Sequence, residues 1–302
     1  MIYTTKSGME IDESRIGLYR VFRKVFNPIY FKEYLELNEA LSRKILKPDS
    51  CVFASEINGR YIVIDSNQMH LHHTVQGQFE NQNWMFGFCG ICNSGACFDT
   101  TMDGKELVFY TAGVYNGFAV WSDDQTNSLW DHNSGECFKG EYAGRQLSFL
   151  SNLMEYQIGD LLLLGKGIYV LSKRKSKLEK LFSDVKFFVI GIFVRLQQRV
   201  GVLPPVFYKT LGKADERLHK YTMGVCVENG TNARFYPKNI IEKQKKIVDT
   251  FDGKTLLVSI HENSKIPFAK FEDGSKPKQN FMRWYGASYS FPKISIYDET
   301  EN

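Results

Sequence analysis

The chain has 302 residues, of which 43% are hydrophobic, 14% aromatic and 24% charged, and its formal net charge is +4. This composition is that of a globular protein with a large core, and it argues against a disordered chain. So small a charge, with no arginine stripe interleaved with aromatics, argues against nucleic acid as a partner. The length suits two domains or one large domain with an internal repeat.

The first residues, "MIYTTKSGME", lack the basic and apolar regions of a signal peptide. No stretch reaches the roughly 18 uncharged apolar residues of a membrane-spanning helix. We therefore expect a protein that is cytoplasmic or peripheral to a membrane. Residues 13–45 have helical spacing interrupted at Pro28, which predicts a helical N-terminal segment over residues 1–49.

Paired turn signals occur in the same order in two parts of the chain. "VFASEINGRYIVID" and "MGVCVENGTNARFYP" each place Asn-Gly between apolar runs, and "MDGKELVF" and "FDGKTLLV" each place Asp-Gly before a strand. This order predicts an internal duplication, with β-rich halves at residues 50–172 and 221–302. Gly59 and Gly104 are 45 residues apart, whereas Gly230 and Gly253 are 23 apart. The longer interval of the first half contains the histidines and cysteines discussed below.

A basic segment separates the two halves. Residues 173–199 contain eight Lys or Arg against two Asp or Glu, and residues 187–194 are wholly apolar. One interpretation of this helical insertion, at 173–220, is a surface helix with one buried face. The other is a helix that contacts an anionic membrane surface through residues 173–200. The predicted fold is therefore mainly β (α+β): two related β-rich halves with peripheral helices and an inserted basic helical segment.

The strongest chemical signal is the Cys-x-x-Cys pair in "GFCGICNSGACFDTT". Cys89 and Cys92 are spaced to chelate one ion. In "MHLHHTVQGQ", His70 and His72 alternate and would share one face of a strand. We predict a metal site formed by His72, Cys89 and Cys92 that holds a divalent transition metal, Zn, Fe or Cu.

Two other interpretations of the pair stay open. Cys89 could be a nucleophilic thiolate that Cys92 resolves, as in dithiol redox proteins. Both thiols could also be inert core residues, because free cysteine is among the most buried residue types.

A segment rich in turn residues follows at 119–144 and is predicted to be a loop that covers the site. It supplies three predicted substrate-binding residues, which are Trp121, Trp130 and Ser128. The predicted catalytic residues are Cys89, Cys92, Asp99, His132 and Glu136.

These motifs resemble an uncharacterised, mainly bacterial family, the domain of unknown function 3179. Four segments of this chain match the family pattern. They are "FCGICNSGACFDT" for Y-C-P-L-C-G-T-A-x-A-F-D-R, "MDGKELVF" for a D-G-x-x-L-x-F segment, and "NSLW" and "SGECFKG" for a later S-L-W followed by G-E. The family histidine falls on His72 in "LHHTVQG", and the ending "MRWYGASYSFPKISIY" is similar to the family's close. The resemblance covers most of residues 50–298. It implies one constellation made of His72, Cys89, Cys92, Asp99, Ser128, Trp130 and Glu136.

The chain departs from the family pattern at several positions. Gly90, Thr100 and Ala112 stand where the family pattern has a proline, an arginine and a serine. His132 lies nearest to the position of a glutamine in that pattern. We expect a metal-dependent enzyme, redox or hydrolytic, that acts on a small molecule. The alternatives are a dithiol redox protein and a non-catalytic module that binds a ligand or partner.

Overall fold

The computed structural model describes residues 1–171 and 205–298. It is mainly β, and its small sheets form a five-blade, propeller-like ring. No helix within these two ranges is long and apolar enough to cross a membrane. The basic segment at residues 173–200, interpreted above as either a surface helix or a membrane-contacting helix, lies outside the described residues.

The N-terminal residues are a mixture of short elements, so the prediction of a helical segment is wrong. They form a 3-10 helix at Glu13–Arg15, helices α1 (Arg20–Val25) and α2 (Leu37–Ser42), and strands β1 (Ile2–Thr4), β2 (Glu10–Asp12), β3 (Gly17–Leu18), β4 (Ile29–Phe31) and β5 (Tyr34–Glu36). Strands β3, β4 and β5 each end a different sheet. Short aromatic and β-branched runs pair readily with such edges, which overrides the helical spacing.

The hairpin predicted at Asn58-Gly59 is confirmed and begins a run of six elements. They are β6 (Cys51–Ile57), β7 (Arg60–Asp65), α3 (Ser66–His72), β8 (Thr74–Phe79), β9 (Gln82–Cys89) and β10 (Ser94–Phe98). Asn58 and Gly59 have φ of 50° and 74°, the left-handed conformations that a two-residue hairpin turn requires. The Cys-x-x-Cys occupies the end of β9 and the turn into β10.

Helix α3 replaces the strand predicted around His70 and His72. The Asp65 carboxylate accepts a hydrogen bond from Gln68 N and caps the helix, which ends at His73 with φ 57°. Helix formation puts successive residues about 100° apart, so the two histidines do not share a strand face.

The predicted covering loop is largely a sheet. The strands of this region are β11 (Thr101–Met102), β12 (Lys105–Glu106), β13 (Phe109–Tyr115), β14 (Phe118–Asp123), β15 (Leu129–Asp131), β16 (Cys137–Lys139) and β17 (Phe149–Asn152). Trp121 of β14 pairs directly with Trp130 of β15, and Trp130 pairs with Cys137 of β16. The many small polar residues form the short connections between these strands, which is why the segment resembles a loop.

The remaining elements complete the ring. They are β18 (Met154–Gln157), α4 (Ile158–Leu162), β19 (Ile168–Leu171), α5 (Pro205–Tyr208), β20 (Met223–Glu228), β21 (Ala233–Pro237), α6 (Lys238–Gln244), β22 (Lys246–Phe251), β23 (Lys254–Ile260), β24 (Pro267–Phe271), β25 (Lys278–Arg283), α7 (Trp284–Ser290) and β26 (Ser295–Ile296). The five larger sheets have the orders β17-β10-β9-β8-β4, β16-β15-β14-β13-β3, β18-β6-β7-β19-β5, β25-β20-β21-β26 and β22-β23-β24.

One strand order occurs twice. The order β18-β6-β7-β19 has two antiparallel pairs and then a parallel pair, and β25-β20-β21-β26 has the same sequence of pairings. In each of these sheets the two middle strands form a hairpin, β6-β7 or β20-β21. A short helix and a three-stranded antiparallel meander follow each hairpin, α3 with β8-β9-β10 and α6 with β22-β23-β24.

The turns of the two meanders can be compared by their order in the chain. The Asp252-Gly253 turn joins β22 to β23, and the turn at the same step of the first meander is Glu80-Asn81, between β8 and β9. Gly104 instead joins β11 to β12 outside these sheets, so the predicted match of Gly104 with Gly253 is wrong. All of these turns meet the same requirement for positive φ, so turn chemistry by itself does not distinguish them.

Candidate metal centre

Three ligand-type side chains meet at the base of the Cys-x-x-Cys turn. The Sγ atoms of Cys89 and Cys92 and a ring nitrogen of His132 lie within 4.8 Å of one another. All three residues are at most 1% exposed. His132 directly follows β15, so two sheets of the ring supply the group. Among the residues that the structure describes, this is the one group of three or more ligand-type side chains close enough to hold a single ion.

The imidazole of His132 contacts the thiols with one nitrogen and a carboxylate with the other. Its Nε2 lies 3.4 Å from Cys92 Sγ and 2.7 Å from Ser94 Oγ. Its Nδ1 lies 3.6 Å from Asp131 Oδ1 and has no hydrogen bond within the described ranges. Metal-bound histidines commonly have this arrangement, because the outer carboxylate orients the ring and raises its basicity.

The charges of the cluster are mutually dependent. Burial opposes ionisation of Cys89, but a hydrogen bond from Cys92 and the His132 ring lower the pKa of Cys89 to about 5. Burial and the neighbouring Cys89 raise the pKa of Cys92 well above its usual value. Burial lowers the pKa of His132, but Asp131 and Cys89 outweigh it and raise that pKa overall. The thiol of Cys89 is therefore the more acidic of the two.

The C-terminal half holds the turn in place. The backbone N–H of Arg283 donates to Cys92 O at 2.9 Å, and its guanidinium donates to the carbonyls of Gly90 and Ile91. Asn93 Nδ2 donates to a backbone carbonyl of β25 at 2.7 Å. These bonds satisfy turn carbonyls that burial would otherwise leave unpaired.

Helix α7 closes the other side of the cluster. A Cβ on Gly286 would lie 2.9 Å from the Cβ of Cys92, so the absence of a side chain allows this close approach. The buried hydroxyl of Tyr285 has no hydrogen-bond partner among the described residues. Its ring stacks on Phe118 at 6.3 Å, and Phe118 lies 5.2 Å from the His132 ring. Burial and then the two thiols raise the pKa of Tyr285, so its hydroxyl stays protonated.

His72 is not part of the group, so the prediction that it joins the two cysteines is wrong. It ends α3, and its Nδ1 lies 2.6 Å from the backbone O of Asn27. The histidines on either side contact the outside of the cysteine turn instead. A Cβ at Gly90 would lie 3.5 Å from His70 Nδ1 and 3.6 Å from His73 Cε1.

The two predicted catalytic carboxylates have other partners. Asp99 accepts a hydrogen bond from Thr101 N at 2.7 Å, which closes a turn. Glu136 accepts from Tyr3 Oη at 2.6 Å and Lys6 N at 3.0 Å, which anchors the N-terminal residues. Neither belongs to the ligand cluster.

The three predicted substrate-binding residues are fully buried. Trp130 donates its indole N–H to Asp123, and Ser128 Oγ lies 2.6 Å from Thr126 Oγ1. Trp121 lies edge-on to His132 with 6.2 Å between ring centroids. They pack the core behind the cluster and present no surface to a substrate.

Sequence reasoning missed four residues around the cluster, which are Ser94, Asp131, Arg283 and Tyr285. The first two are adjacent to motif residues and could have been considered for that reason. The last two come from a segment almost 200 residues away, and the recognised ending "MRWYGASYS" was their only signal.

Fold and site together define a mainly β, propeller-like protein with a buried cluster of two cysteines and one histidine. The family model "Protein of unknown function (DUF3179)" matches residues 28–300, and the chain belongs to this family, as its motifs predict. No curated protein and no solved structure matches the chain.

Proposed function

We propose that Cys89, Cys92 and His132 bind one transition-metal ion and that this ion is the centre of an enzyme acting on a small molecule. The convergence of two sulfurs and one imidazole nitrogen within 4.8 Å carries the proposal. Two thiolates and one imidazole suit Zn, Cu or Fe. Three protein ligands leave one position of a tetrahedral ion for another group.

The surroundings also fit a bound ion. The unpaired Nδ1 of His132 faces the Asp131 carboxylate, and the buried, unpaired hydroxyl of Tyr285 belongs to the helix whose Gly286 lies against Cys92. A cation would also balance the negative charge of two buried thiolates, which is costly without a partner. A centre closed to bulk water favours redox over hydrolytic chemistry, because hydrolysis needs water at the ion. The bound ion would supply the redox chemistry, while Asp131 orients His132.

Metal content tests the proposal. Purified protein is expected to carry about one equivalent of metal per chain, and Cys89→Ser and His132→Ala should lose it. Cys97→Ser is the matched control, because Cys97 is equally buried on β10 but is not a member of the cluster. A wild-type protein that binds neither Zn²⁺, Cu⁺ nor Fe²⁺ would refute the metal centre.

One observation favours a dithiol redox protein as the second candidate. The pKa of Cys89 is lowered to about 5 and that of Cys92 is raised, as expected for an attacking and a resolving thiol. The burial of both sulfurs opposes this candidate, since exchange requires access. Metal-free protein that forms a Cys89–Cys92 disulfide reversibly in glutathione buffers would support it.

We also infer that residues 51–171 and 223–296 are related halves, and the repeated strand order supports this. The inference pairs the turn Glu80-Asn81 with Asp252-Gly253. Replacing Glu80-Asn81 by Asn-Gly should then preserve the hairpin and stabilise the protein by about 1 kcal/mol, because both positions have positive φ. Loss of folding on this exchange, measured by urea unfolding, would contradict the pairing.

A further inference from the structure

A cavity of about 800 Å³ lies apart from the cluster. Its wall is formed mainly by strands β17, β18 and β24, by Tyr61 of β7 and by the turn between β23 and β24. Neither Cys89, Cys92 nor His132 lines it. Its volume is within the range of sites that hold small molecules.

Aromatic rings form one wall of the cavity. The His261 ring stacks on Phe268 with centroids 4.1 Å apart and lies 5.0 Å from Tyr156. Tyr61 lies edge-on to Tyr156 at 6.2 Å. His261 Nε2 is buried and has no hydrogen-bond partner in the described ranges. Burial lowers the pKa of His261 to about 4, so its imidazole is neutral at pH 7 and can exchange a hydrogen bond with a ligand.

The charges inside the cavity favour an anion. Lys166 Nζ pairs with one oxygen of Glu56, and Lys276 Nζ lies 3.6 Å from the other. Lys276 also donates to the hydroxyl of Tyr61 at 2.5 Å. Two ammonium groups thus share one carboxylate, which leaves an excess positive charge at this end of the cavity.

The other charged groups of the wall, Asp160, Glu262 and Lys270, bring the formal charge of the wall as a whole to zero, so the positive excess is local to the end that bears Lys166 and Lys276. Both oxygens of Asp160 accept backbone N–H bonds, from Asn263 and Ser264, each at 2.9 Å. Glu262 and Lys270 are exposed and have opposite signs. A negative group in contact with Lys166 and Lys276 is attracted by two ammonium groups that have only the Glu56 carboxylate between them.

The mouth of the cavity is apolar. Leu163, Leu164 and Phe149 line it and are 71%, 38% and 37% exposed. A bound apolar group that covers these side chains would gain about 25 cal/mol for each Å² of apolar surface removed from water. Such exposed apolar side chains around a cavity are typical of binding sites.

We propose that this cavity binds a small amphiphilic anion, with its anionic head at Lys166 and Lys276 and its apolar body along the aromatic wall and the leucines of the mouth. The site is separate from the metal centre and does not depend on it.

Decanoate, used below its micelle concentration, is the probe, and decanol of equal chain length is its uncharged control. Isothermal titration calorimetry is expected to show saturable binding of one decanoate and about tenfold weaker binding of decanol. Lys276→Met should weaken decanoate about tenfold. Lys238→Met is the matched control, because this exposed lysine pairs with Glu242 on α6 and should leave binding unchanged.

A second variant distinguishes a loss of decanoate binding from a loss of folding. Leu163→Asp with Leu164→Asp changes only exposed side chains and should also weaken decanoate at least tenfold. Cys89→Ser should bind decanoate as the wild type does. Absence of saturable decanoate binding, equal affinity for decanol, or full affinity in both the Lys276 and the leucine variants would overturn the proposal.

Discussion

His132 shows how one side chain gains a chemical role from its neighbours. The ring is enclosed by the Cys92 thiol, the Ser94 hydroxyl and the Asp131 carboxylate, and the tilted ring of Phe118 packs beside it. The carboxylate oxygen near Nδ1 is Oδ1, while Oδ2 accepts from Ser134 N and Oγ at 2.8 and 2.7 Å. The two hydrogen bonds from Ser134 hold Oδ2 in place and so keep Oδ1 directed toward the His132 ring.

Asp131→Asn tests this orienting role. The amide has nearly the same shape but no charge, so the cluster should still form while metal affinity falls about 10- to 100-fold. Competition with a chromogenic chelator measures the affinity. Ser134→Ala, which removes one bond to the same carboxylate, should have a smaller effect. Unchanged affinity in Asp131→Asn would show that the carboxylate does not act on the metal site.

At the scale of elements, the contact of β9 with β14 depends on a missing side chain. A Cβ on Gly87 would lie 1.8 Å from the ring of Trp121, and this ring is itself enclosed by Phe98 at 5.9 Å and by His132. The ring is fully buried, so it has no free space into which it could move. The close contact of these two strands brings Cys89 to the sheet that bears His132.

Gly87→Ala should therefore cost about 3 kcal/mol of unfolding free energy, at the upper end of what overpacking costs. Gly167→Ala is the control, because its Cβ would have no neighbour nearer than 3.6 Å and its φ is not left-handed. Urea unfolding followed by tryptophan fluorescence compares the two. Equal stability of both variants would mean that the contact adjusts without cost.

At the scale of the whole molecule, a half-buried ion pair joins two neighbouring sheets of the ring. Asp249 of β22 accepts from Arg234 Nη1 and from Tyr236 Oη of β21, each at 2.7 Å. Burial raises the pKa of Asp249, but Arg234 and Tyr236 outweigh it and lower the pKa overall. A carboxyl whose pKa is lower in the folded state stabilises the fold above its unfolded pKa of about 4. That stability is lost as the pH falls through the lower, folded value.

Thermal unfolding between pH 7 and pH 2 tests this linkage. Asp249→Asn should lose about 1 to 2 kcal/mol at pH 7, because the hydrogen bonds from Arg234 and Tyr236 would no longer be made to a charged group. Its stability should then fall less steeply than that of the wild type below pH 4. Glu272→Gln, at an exposed carboxylate, should follow the wild-type profile. Parallel profiles for Asp249→Asn and the wild type would contradict the linkage.

Local chemistry made part of this structure predictable. Asn58-Gly59 and Asp252-Gly253 form hairpins because their residue types accept positive φ, a requirement that acts within two residues. The spacing of Cys89 and Cys92 likewise puts both thiols in one turn, whatever surrounds it. The family motifs are equally local, and they identified the family correctly.

The sequence by itself determined the mainly β class, the tight turns, the family and the place of the cysteine pair, because each depends on residues that are near neighbours in the chain. Only the tertiary structure decided that His132 rather than His72 meets the cysteines, and that Arg283 and Tyr285 enclose them. Cys92 and His132 are 40 residues apart, and Arg283 is more than 190 from Gly90. Such contacts depend on how whole sheets pack against one another, which the local preferences of the residues involved do not encode.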